Sequence, residues 1–331
     1  MSLRTIHERD YNMENNKFGG TIKLFSCNAN KDLAAQIAAK LGIQMGLSEV
    51  KTFSDGEISV KIDEPVRGSD VFIVQPTCAP VNEHLMELLI MIDALKRSSA
   101  GRITVVIPYF AYGRQDRKTR ARDPISAKLV ANLIHTAGAQ RLLAMDLHCD
   151  QLQGFFDIPV DHLRGMRLFT NYFSEKFQDK SDLIAVSPDL GSVSRVRQFA
   201  ERLDIPMAII DKRRPKANMS EVVNLIGDVK GKRCIVIDDI IDTGGSITNA
   251  GNAVIDSGAL EVYACCTHGV LSGPAIELLE KSPFKEVVIS NTIPLPPDKK
   301  LEKISTLTVA TMFAEAISRI HDGASISKLF D

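Results

Sequence analysis

One segment of the chain brings acids, glycines and hydroxyls together in an order suited to a phosphorylated sugar. Two acids, Asp238 and Asp239, end an apolar run, Cys234–Ile237, that is typical of a buried strand. The chain then supplies a short loop of Asp242, Thr243, Gly244, Gly245 and Ser246. Glycines let a backbone approach an anion, and N–H groups at a helix start point toward it, so this loop predicts binding of a terminal monophosphate. Sugar hydroxyls donate well to carboxylates, which predicts a role for the two acids.

The same loop also has a purely structural interpretation. A turn between a strand and a helix, with glycines and a capping acid, would contain the same residue types. A Walker loop is excluded, because no Gly-Lys-Ser or Gly-Lys-Thr triplet follows the glycines.

A second polar segment starts where another strand is expected to end. Asp146 and His148 are two residues apart, so their side chains emerge on the same side of an extended chain. An imidazole among carboxylates can orient a magnesium–nucleotide complex, directly or through water. Because Mg²⁺ prefers oxygen ligands, however, the spacing alone favours a structural histidine.

Two basic segments are candidates for holding phosphate groups. The first follows the predicted strand Ile103–Ile107, and its basic residues are Arg114, Arg117, Lys118, Arg120 and Arg122. They can neutralise a triphosphate, and arginine offers bidentate geometry to phosphate oxygens; a solvated basic loop and a nucleic-acid patch are the alternatives. The second segment, 211–218, follows the predicted strand Met207–Ile210 and, taken alone, would also suit a localisation signal or an exposed hairpin.

The segments that must position these residues alternate between strand-like and helix-like patterns. Continuous apolar strands followed by helices, such as the predicted helix Ile247–Ser257, are typical of parallel sheets covered on both faces. The order is similar in the two halves, which predicts two α/β domains, residues 20–166 and 167–307. Residues 1–19 are predicted to be a disordered or flexible leader, and the final helix, within 308–331, can pack on the first domain.

Composition limits the possible classes of function. The chain has 40 basic and 41 acidic side chains, so no surface-wide field that attracts nucleic acid or anionic membranes is expected. No apolar run approaches the ~20 residues that span a bilayer. Met1–Gly20 is polar and lacks the apolar core of a signal peptide. The cysteines form no Cys-x-x-Cys pair, which favours a reduced, cytoplasmic protein. The charge balance and the short apolar runs predict neither nucleic-acid nor membrane partners.

Taken together, the segments resemble the ribose-phosphate pyrophosphokinase family over about Ile22–Phe330. The sugar-phosphate loop is similar to the phosphoribosyl-diphosphate motif of the type I phosphoribosyltransferase fold, with Ser246 where threonine is usual. Met145–Leu163 resembles the family's divalent-cation signature. Phe53–Ser59 resembles a nucleotide-binding loop that reaches the active site of a neighbouring subunit. Ser192 stands where the family usually has a glycine.

The resemblance implies a fold and a role for each site residue. The fold class is α/β, with two tandem phosphoribosyltransferase-like domains, each a mainly parallel sheet flanked by helices. The residues implied for ATP are Phe53, Asp55, Gly56, Glu57, Arg114, Gln115 and His148. Those implied for ribose 5-phosphate are Arg214, Asp238, Asp239, Asp242, Thr243, Gly244, Gly245 and Ser246. The implied catalytic cations are Lys212 and Arg214, and the implied metal residues are His148 and Asp189.

The implied reaction is diphosphoryl transfer from ATP to the C1 hydroxyl of ribose 5-phosphate. The resemblance further implies Mg²⁺ as cofactor, inorganic phosphate as activator, and a cytoplasmic homo-oligomer, commonly a hexamer. Two other functions stay open. A phosphoribosyltransferase would use the same sugar-phosphate loop with a nucleobase, but would need neither a second domain nor the segments around His148 and Lys212. A non-catalytic regulatory subunit would keep the fold, usually with disturbed motifs, whereas the motif residues are present here.

Overall fold

The computed structural model describes residues 20–213 and 222–329, except for the side chains of residues 212, 213, 222, 223 and 328. The predicted leader, residues 1–19, lies outside the described residues. The chain divides into two compact units: unit 1 runs to Arg164 and resumes at Val309, and unit 2 is Gly165–Thr308. None of the described helices is both long and apolar enough to cross a membrane.

Strands and helices alternate along most of the described chain. The strands are β1 (Ile22–Ser26), β2 (Ser48–Thr52), β3 (Ile58–Ile62), β4 (Asp70–Val74), β5 (Arg102–Ile107), β6 (Arg141–Met145), β7 (Val160–Leu163), β8 (Leu183–Ser187), β9 (Met207–Arg213), β10 (Val222–Ile226), β11 (Arg233–Ile241), β12 (Glu261–Gly269), β13 (Phe284–Ser290) and β14 (Ile304–Leu307). The helices are α1 (Lys31–Leu41), α2 (Val81–Arg97), α3 (Ser126–Ala137), α4 (Met166–Lys176), α5 (Val193–Leu203), α6 (Gly245–Asp256), α7 (Ala275–Lys281) and α8 (Ala310–His321). The predicted α/β class, with mainly parallel sheets flanked by helices, is confirmed.

Unit 1 is built on a parallel sheet with the strand order β1-β4-β5-β6-β7. Every residue of β4 and β5 is buried, which requires cover on both faces of the sheet. Helices α2 and α3 contribute Leu88, Met91 and Ile134 to the core on one face. Strands β2 and β3 form a separate antiparallel hairpin.

Unit 2 contains a larger sheet with the strand order β10-β9-β8-β11-β12-β13-β14. Strand β10 pairs antiparallel with β9, whereas the other neighbouring strands pair in parallel. Alternate residues of β11 enter different cores: Val236 packs with α6, and Ile235 and Ile237 pack with α4 and α5. Because both faces of β11 are buried, the strand is continuously apolar until the acids at its carboxyl end.

A buried charge cluster ties the end of α8 to the sheet of unit 1. Asp70 and Arg102 face each other across neighbouring strands β4 and β5, and Arg102 Nε donates to Asp70 Oδ1 at 2.7 Å. The same guanidinium donates to the carbonyl of Ile320 at 3.1 Å, and His321 Nδ1 lies 2.8 Å from Asp70 Oδ2. The last turn of α8 is therefore held by the Asp70–Arg102 pair at the amino ends of β4 and β5.

Candidate active site

The carboxyl end of β11 carries the two acids predicted to contact a sugar. The strand continues through Asp238 and Asp239, because its parallel pairing with β12 extends to the pair Ile241 and Gly269. On its other side β11 pairs in parallel with β8, which ends at Ser187. Carboxyl ends of parallel strands meet at one edge of a sheet, so the loop after β8 lies beside the two acids.

The loop between β11 and α6 leads into a helix N-terminus of the kind that commonly binds anions. Gly244 is the N-cap of α6 and has φ 78°, in the left-handed region that favours glycine. The side chains of Thr243 and Ser246 are exposed, so their hydroxyls are accessible to a ligand. Together with the amides of the first helical turn, they provide donors for the oxygens of a monophosphate.

Hydrogen bonds from the segment after β12 hold this loop in place. The Ser272 amide donates to the carbonyl of Asp242 at 2.9 Å, and the Ser272 hydroxyl donates to Asp242 Oδ1. A Cβ atom on Gly244 would lie 3.2 Å from the Cα atom of Ala275, closer than an ordinary contact. Both the backbone angle and this close approach therefore require glycine at the N-cap.

The loop after β8 brings a third acid to the same edge. The Ser187 hydroxyl donates to the carbonyl of Asp189 at 2.7 Å, and the Ser192 amide donates to Asp189 Oδ1 at 3.0 Å. The Ser192 hydroxyl donates to Asp238 Oδ1 at 2.9 Å. The predicted metal residue and one predicted sugar-binding acid are thus held by the same serine.

Burial and the neighbouring acids at this edge strongly influence the carboxyl group of Asp238. Burial, followed by the carboxylates of Asp239 and Asp189, raises the pKa of Asp238 well above its usual range, and the Ser192 hydroxyl acts in the opposite direction. The Arg195 guanidinium partly balances the negative charge, with Nη1 at 3.3 Å from Asp239 Oδ1 and 3.9 Å from Asp238 Oδ1. Such a cluster favours ligands that bring hydroxyl donors or positive charge.

The acids at this edge have the chemistry of a magnesium site that is completed by substrate. Among residues 20–213 and 222–329, no three His, Cys, Asp or Glu side chains come together as a ready-made ligand set. Mg²⁺ is commonly held by one or two carboxylates together with substrate phosphates, and it keeps several waters. The carboxylate of Asp189, with buried acids beside it, fits this mode of binding.

The predicted nucleotide-binding loop is the tip of the β2–β3 hairpin. The turn is closed by the Phe53 amide, which donates to the Glu57 carbonyl at 2.7 Å, and by the Gly56 amide, which donates to the Phe53 carbonyl at 2.9 Å. The Glu57 amide donates to Asp55 Oδ1 at 3.1 Å. All residues of this tip are exposed, and the ring of Phe53 is 57% exposed. A rigid turn therefore presents an aromatic ring and two acids to solvent.

Two loops at one edge of the unit 1 sheet carry Arg114, Gln115 and His148. They follow β5 and β6, which are neighbouring parallel strands. The Cys149 thiol joins them by donating to Asp116 Oδ2 at 3.3 Å. Burial, followed by the Asp116 carboxylate, raises the pKa of Cys149 to about 11, so the thiol keeps its proton near pH 7.

Within unit 2, the loop of Asp189 contacts Asp238 through Ser192. Within unit 1, the loops that carry Arg114 and His148 are joined by the contact of Cys149 with Asp116. The predicted nucleotide-binding residues Phe53–Glu57 lie on the separate β2–β3 hairpin. Arg214 and the side chain of Lys212 lie outside the described part of the chain.

Sequence reasoning did not assign a role to three residues of unit 2. Ser272 and Arg195 act through contacts distant in sequence and give no local signal. Ser192 did give a signal, since it replaces the family's usual glycine.

Comparisons with known proteins show the family to which the chain belongs. The N-terminal domain model of ribose phosphate pyrophosphokinase matches residues 22–138, and the phosphoribosyl synthetase-associated domain matches residues 212–331. The ribose-phosphate pyrophosphokinase of Caldanaerobacter subterraneus is 61% identical over 314 residues, which cover 95% of this chain and 99% of the relative. The enzyme of the same name from Clostridium acetobutylicum is 61% identical over 312 residues, 94% of this chain and 98% of the relative.

A solved structure gives the same result. The crystal structure of phosphoribosylpyrophosphate synthetase from Mycobacterium smegmatis matches with a TM-score of 0.88 and 45% identity. The match covers 92% of this chain and 100% of that chain. Sequence, domain content and fold agree over nearly the whole length, and the chain belongs to the ribose-phosphate pyrophosphokinase family.

Proposed function

We propose that the chain is a ribose-phosphate diphosphokinase that makes 5-phosphoribosyl 1-diphosphate and AMP from ribose 5-phosphate and ATP, for nucleotide biosynthesis. The observation that carries the proposal is the β11–α6 segment. It offers the half-buried carboxylate of Asp238 and the buried carboxylate of Asp239 for sugar hydroxyls, beside exposed hydroxyls and helix-start amides for a monophosphate. Ribose 5-phosphate carries both groups, with its 5-phosphate at the far end of the sugar from C1.

In this proposal unit 2 holds the acceptor sugar. The 5-phosphate lies on the loop residues Asp242, Thr243, Gly244, Gly245 and Ser246. Asp238 and Asp239 accept hydrogen bonds from ribose hydroxyls, and Arg214 also contacts the sugar phosphate. Binding at both ends fixes the direction of the C1 hydroxyl, which converts a bimolecular encounter into a positioned one.

The donor nucleotide is assigned to residues of unit 1. The exposed ring of Phe53 can stack on adenine, while Asp55 and Glu57, with Gly56 shaping the turn, can accept from its amino group. Arg114 and Gln115 are assigned to the ATP phosphates and His148 to the magnesium–nucleotide.

The chemical step is an in-line displacement at the β-phosphorus of ATP. The C1 oxygen forms a bond to this phosphorus and releases its proton to solvent. The bond between the β-phosphorus and the α,β-bridging oxygen of ATP breaks, and this oxygen leaves as part of AMP. Negative charge on the transferring diphosphoryl group is stabilised by Lys212 and Arg214. No covalent intermediate with the protein is required, so positioning and charge neutralisation supply the catalysis.

The proposed cofactor is Mg²⁺, for which Asp189 of unit 2 and His148 of unit 1 are each proposed as metal residues, with inorganic phosphate as an activator. When bound, Mg²⁺ shields phosphate charge. The carboxylate of Asp189 supplies the preferred oxygen ligand, and the Ser192 amide orients it at 3.0 Å.

We also propose that the chain forms a homo-oligomer, a hexamer by resemblance, in the cytoplasm. Ile125, Leu129 and Leu133 are exposed, and four-residue spacing places them along one side of α3. Contiguous exposed apolar side chains of this kind commonly mark a contact surface.

Product analysis tests the proposed reaction directly. The protein is mixed with ATP, ribose 5-phosphate, Mg²⁺ and inorganic phosphate, and nucleotides and sugar phosphates are separated and quantified. We expect AMP and 5-phosphoribosyl 1-diphosphate in equal amounts. ADP as the product would mean ordinary phosphoryl transfer and would refute the reaction assignment. Confirmed ATP binding without turnover would favour a regulatory subunit.

Gly244→Ala is expected to weaken ribose 5-phosphate binding by about tenfold or more, because alanine strains the left-handed N-cap and crowds Ala275. Gly231→Ala is the matched control. Gly231 has φ 70°, and no described atom lies within 4 Å of its Cβ position. Calorimetric titration with ribose 5-phosphate should show weaker binding for Gly244→Ala alone; equal affinity of both variants would contradict the phosphate-loop assignment.

A further inference from the structure

We infer that Ser192 is a positioning residue for the acceptor sugar, a role that requires its side-chain hydroxyl. The serine lies in the loop between β8 and α5 and is 4% exposed. Its side chain donates to Asp238 Oδ1, so the inference rests on the proposed function, in which Asp238 accepts from a ribose hydroxyl.

The backbone of Ser192 does not explain why a serine is present. Its φ of −89° and ψ of −2° are ordinary for any residue, so replacing glycine carries no conformational penalty. Ser192 is the N-cap of α5, a position at which serine commonly accepts a bond from the first helical turn. Its side chain makes no such capping bond. The hydroxyl is instead directed across the sheet edge to Asp238.

Ser192 makes two hydrogen bonds, of which glycine could make only the one from the backbone. The amide donates to Asp189 Oδ1 at 3.0 Å, and any residue except proline would preserve this bond. The hydroxyl bond to Asp238 at 2.9 Å requires the side chain. Serine therefore adds a link between the loop of the proposed metal residue and the carboxylate assigned to the sugar.

The carboxylate of Asp238 needs such a restraint because competing groups surround it. Ser192 and the Asp239 amide, at 2.9 Å, both donate to the same oxygen, Oδ1. The Arg195 guanidinium lies 3.9 Å from this oxygen and 3.3 Å from Asp239. Without the serine hydroxyl, Asp238 retains the amide bond but can rotate toward Arg195. A carboxylate paired more closely with arginine is a weaker acceptor for a sugar hydroxyl.

The test compares Ser192→Ala and Ser192→Gly with the wild-type protein. Both variants lose the hydroxyl, and alanine retains the Cβ atom. We expect the Kd for ribose 5-phosphate to rise about tenfold in both, the usual effect of one hydrogen bond to a charged acceptor. The Kd for ATP should stay within about twofold, and the KM for ribose 5-phosphate should rise more than kcat falls.

Ser194→Ala is the matched control, because Ser194 is exposed on the same helix and undergoes the same chemical change. It should bind both substrates like the wild type. Unchanged ribose 5-phosphate binding in Ser192→Ala would overturn the inference, as would a loss in Ser192→Gly alone, which would indicate a backbone effect. A similar loss in Ser194→Ala would also overturn it, by indicating a general disturbance of α5.

Failure of the proposed function can be distinguished from failure of this inference. Binding is measured by calorimetry without turnover, so the Ser192 variants remain informative even if no product forms. A wild-type protein that binds ribose 5-phosphate but makes no 5-phosphoribosyl 1-diphosphate would refute the function alone. A wild-type protein with full activity and unaffected Ser192 variants would refute the inference alone.

Discussion

Replacing Lys212 with alanine is expected to lower kcat by about a thousandfold while changing the affinity for ATP by no more than about twofold. Lys212 lies near the carboxyl end of β9, where its backbone pairs with Val223 of β10. Because β9 is parallel to β8, its end lies at the same sheet edge as the loop of Asp189. In the proposed mechanism, the Lys212 cation stabilises the negative charge that grows on the diphosphoryl group during transfer. Because this proposed contact is strongest in the transition state, its loss is expected to affect turnover more than binding.

The measurement combines initial rates of AMP formation at saturating substrates with calorimetric titration of ATP. Lys230→Ala is a suitable control, because Lys230 is an exposed lysine of the same unit outside the proposed site. It should retain wild-type kcat. If Lys212→Ala weakened ATP binding as much as turnover, Lys212 would be a ground-state contact and its catalytic assignment would be wrong.

The sheet scaffold could be predicted well from sequence, because buried parallel strands are apolar throughout. The prediction of Cys234–Ile237 identified the centre of β11 but stopped at the first acid. The strand runs to Ile241 because β12 continues to pair beyond that point. The hairpin Ser48–Thr52 and Ile58–Ile62 was missed, since its strands are partly exposed and mix charged with apolar residues. Pairing with a neighbour, which local sequence does not encode, decided both cases.

Part of the candidate site could likewise be predicted from sequence, and part could not. Glycines and hydroxyls next to each other in sequence reveal the phosphate loop, since a helix start needs only local residues. The contact of Ser272 with Asp242 joins residues thirty positions apart on the chain, and it depends on how the segment after β12 packs. Arg195 approaches Asp239 for the same reason. Long-range contacts of this kind orient the acids, and a single sequence does not specify them.

Asp70→Asn is expected to lower the free energy of unfolding by about 3 kcal/mol at pH 7, because it leaves a buried arginine without its counter-charge. The Asp70 side chain is fully buried and accepts hydrogen bonds from Arg102 and His321. One carboxylate of β4 therefore links β5 to the end of α8. Arg102→Met combined with Asp70→Asn should recover part of the loss, since it removes the uncompensated charge. Urea denaturation of the two variants and the wild type provides the comparison.

The pH dependence of this effect distinguishes an ion pair from simple packing. Burial opposes ionisation of Asp70, but hydrogen bonds from His321 and Arg102 outweigh it and lower the pKa of Asp70. The unfolded chain, with an aspartate pKa of about 3.9, therefore binds this proton more readily than the folded chain. The stabilisation is complete above that value and is lost as the pH falls through the lower folded pKa. The difference between wild type and Asp70→Asn should shrink as the pH falls below about 4; a difference that stays the same there would mean that Asp70 acts through packing alone.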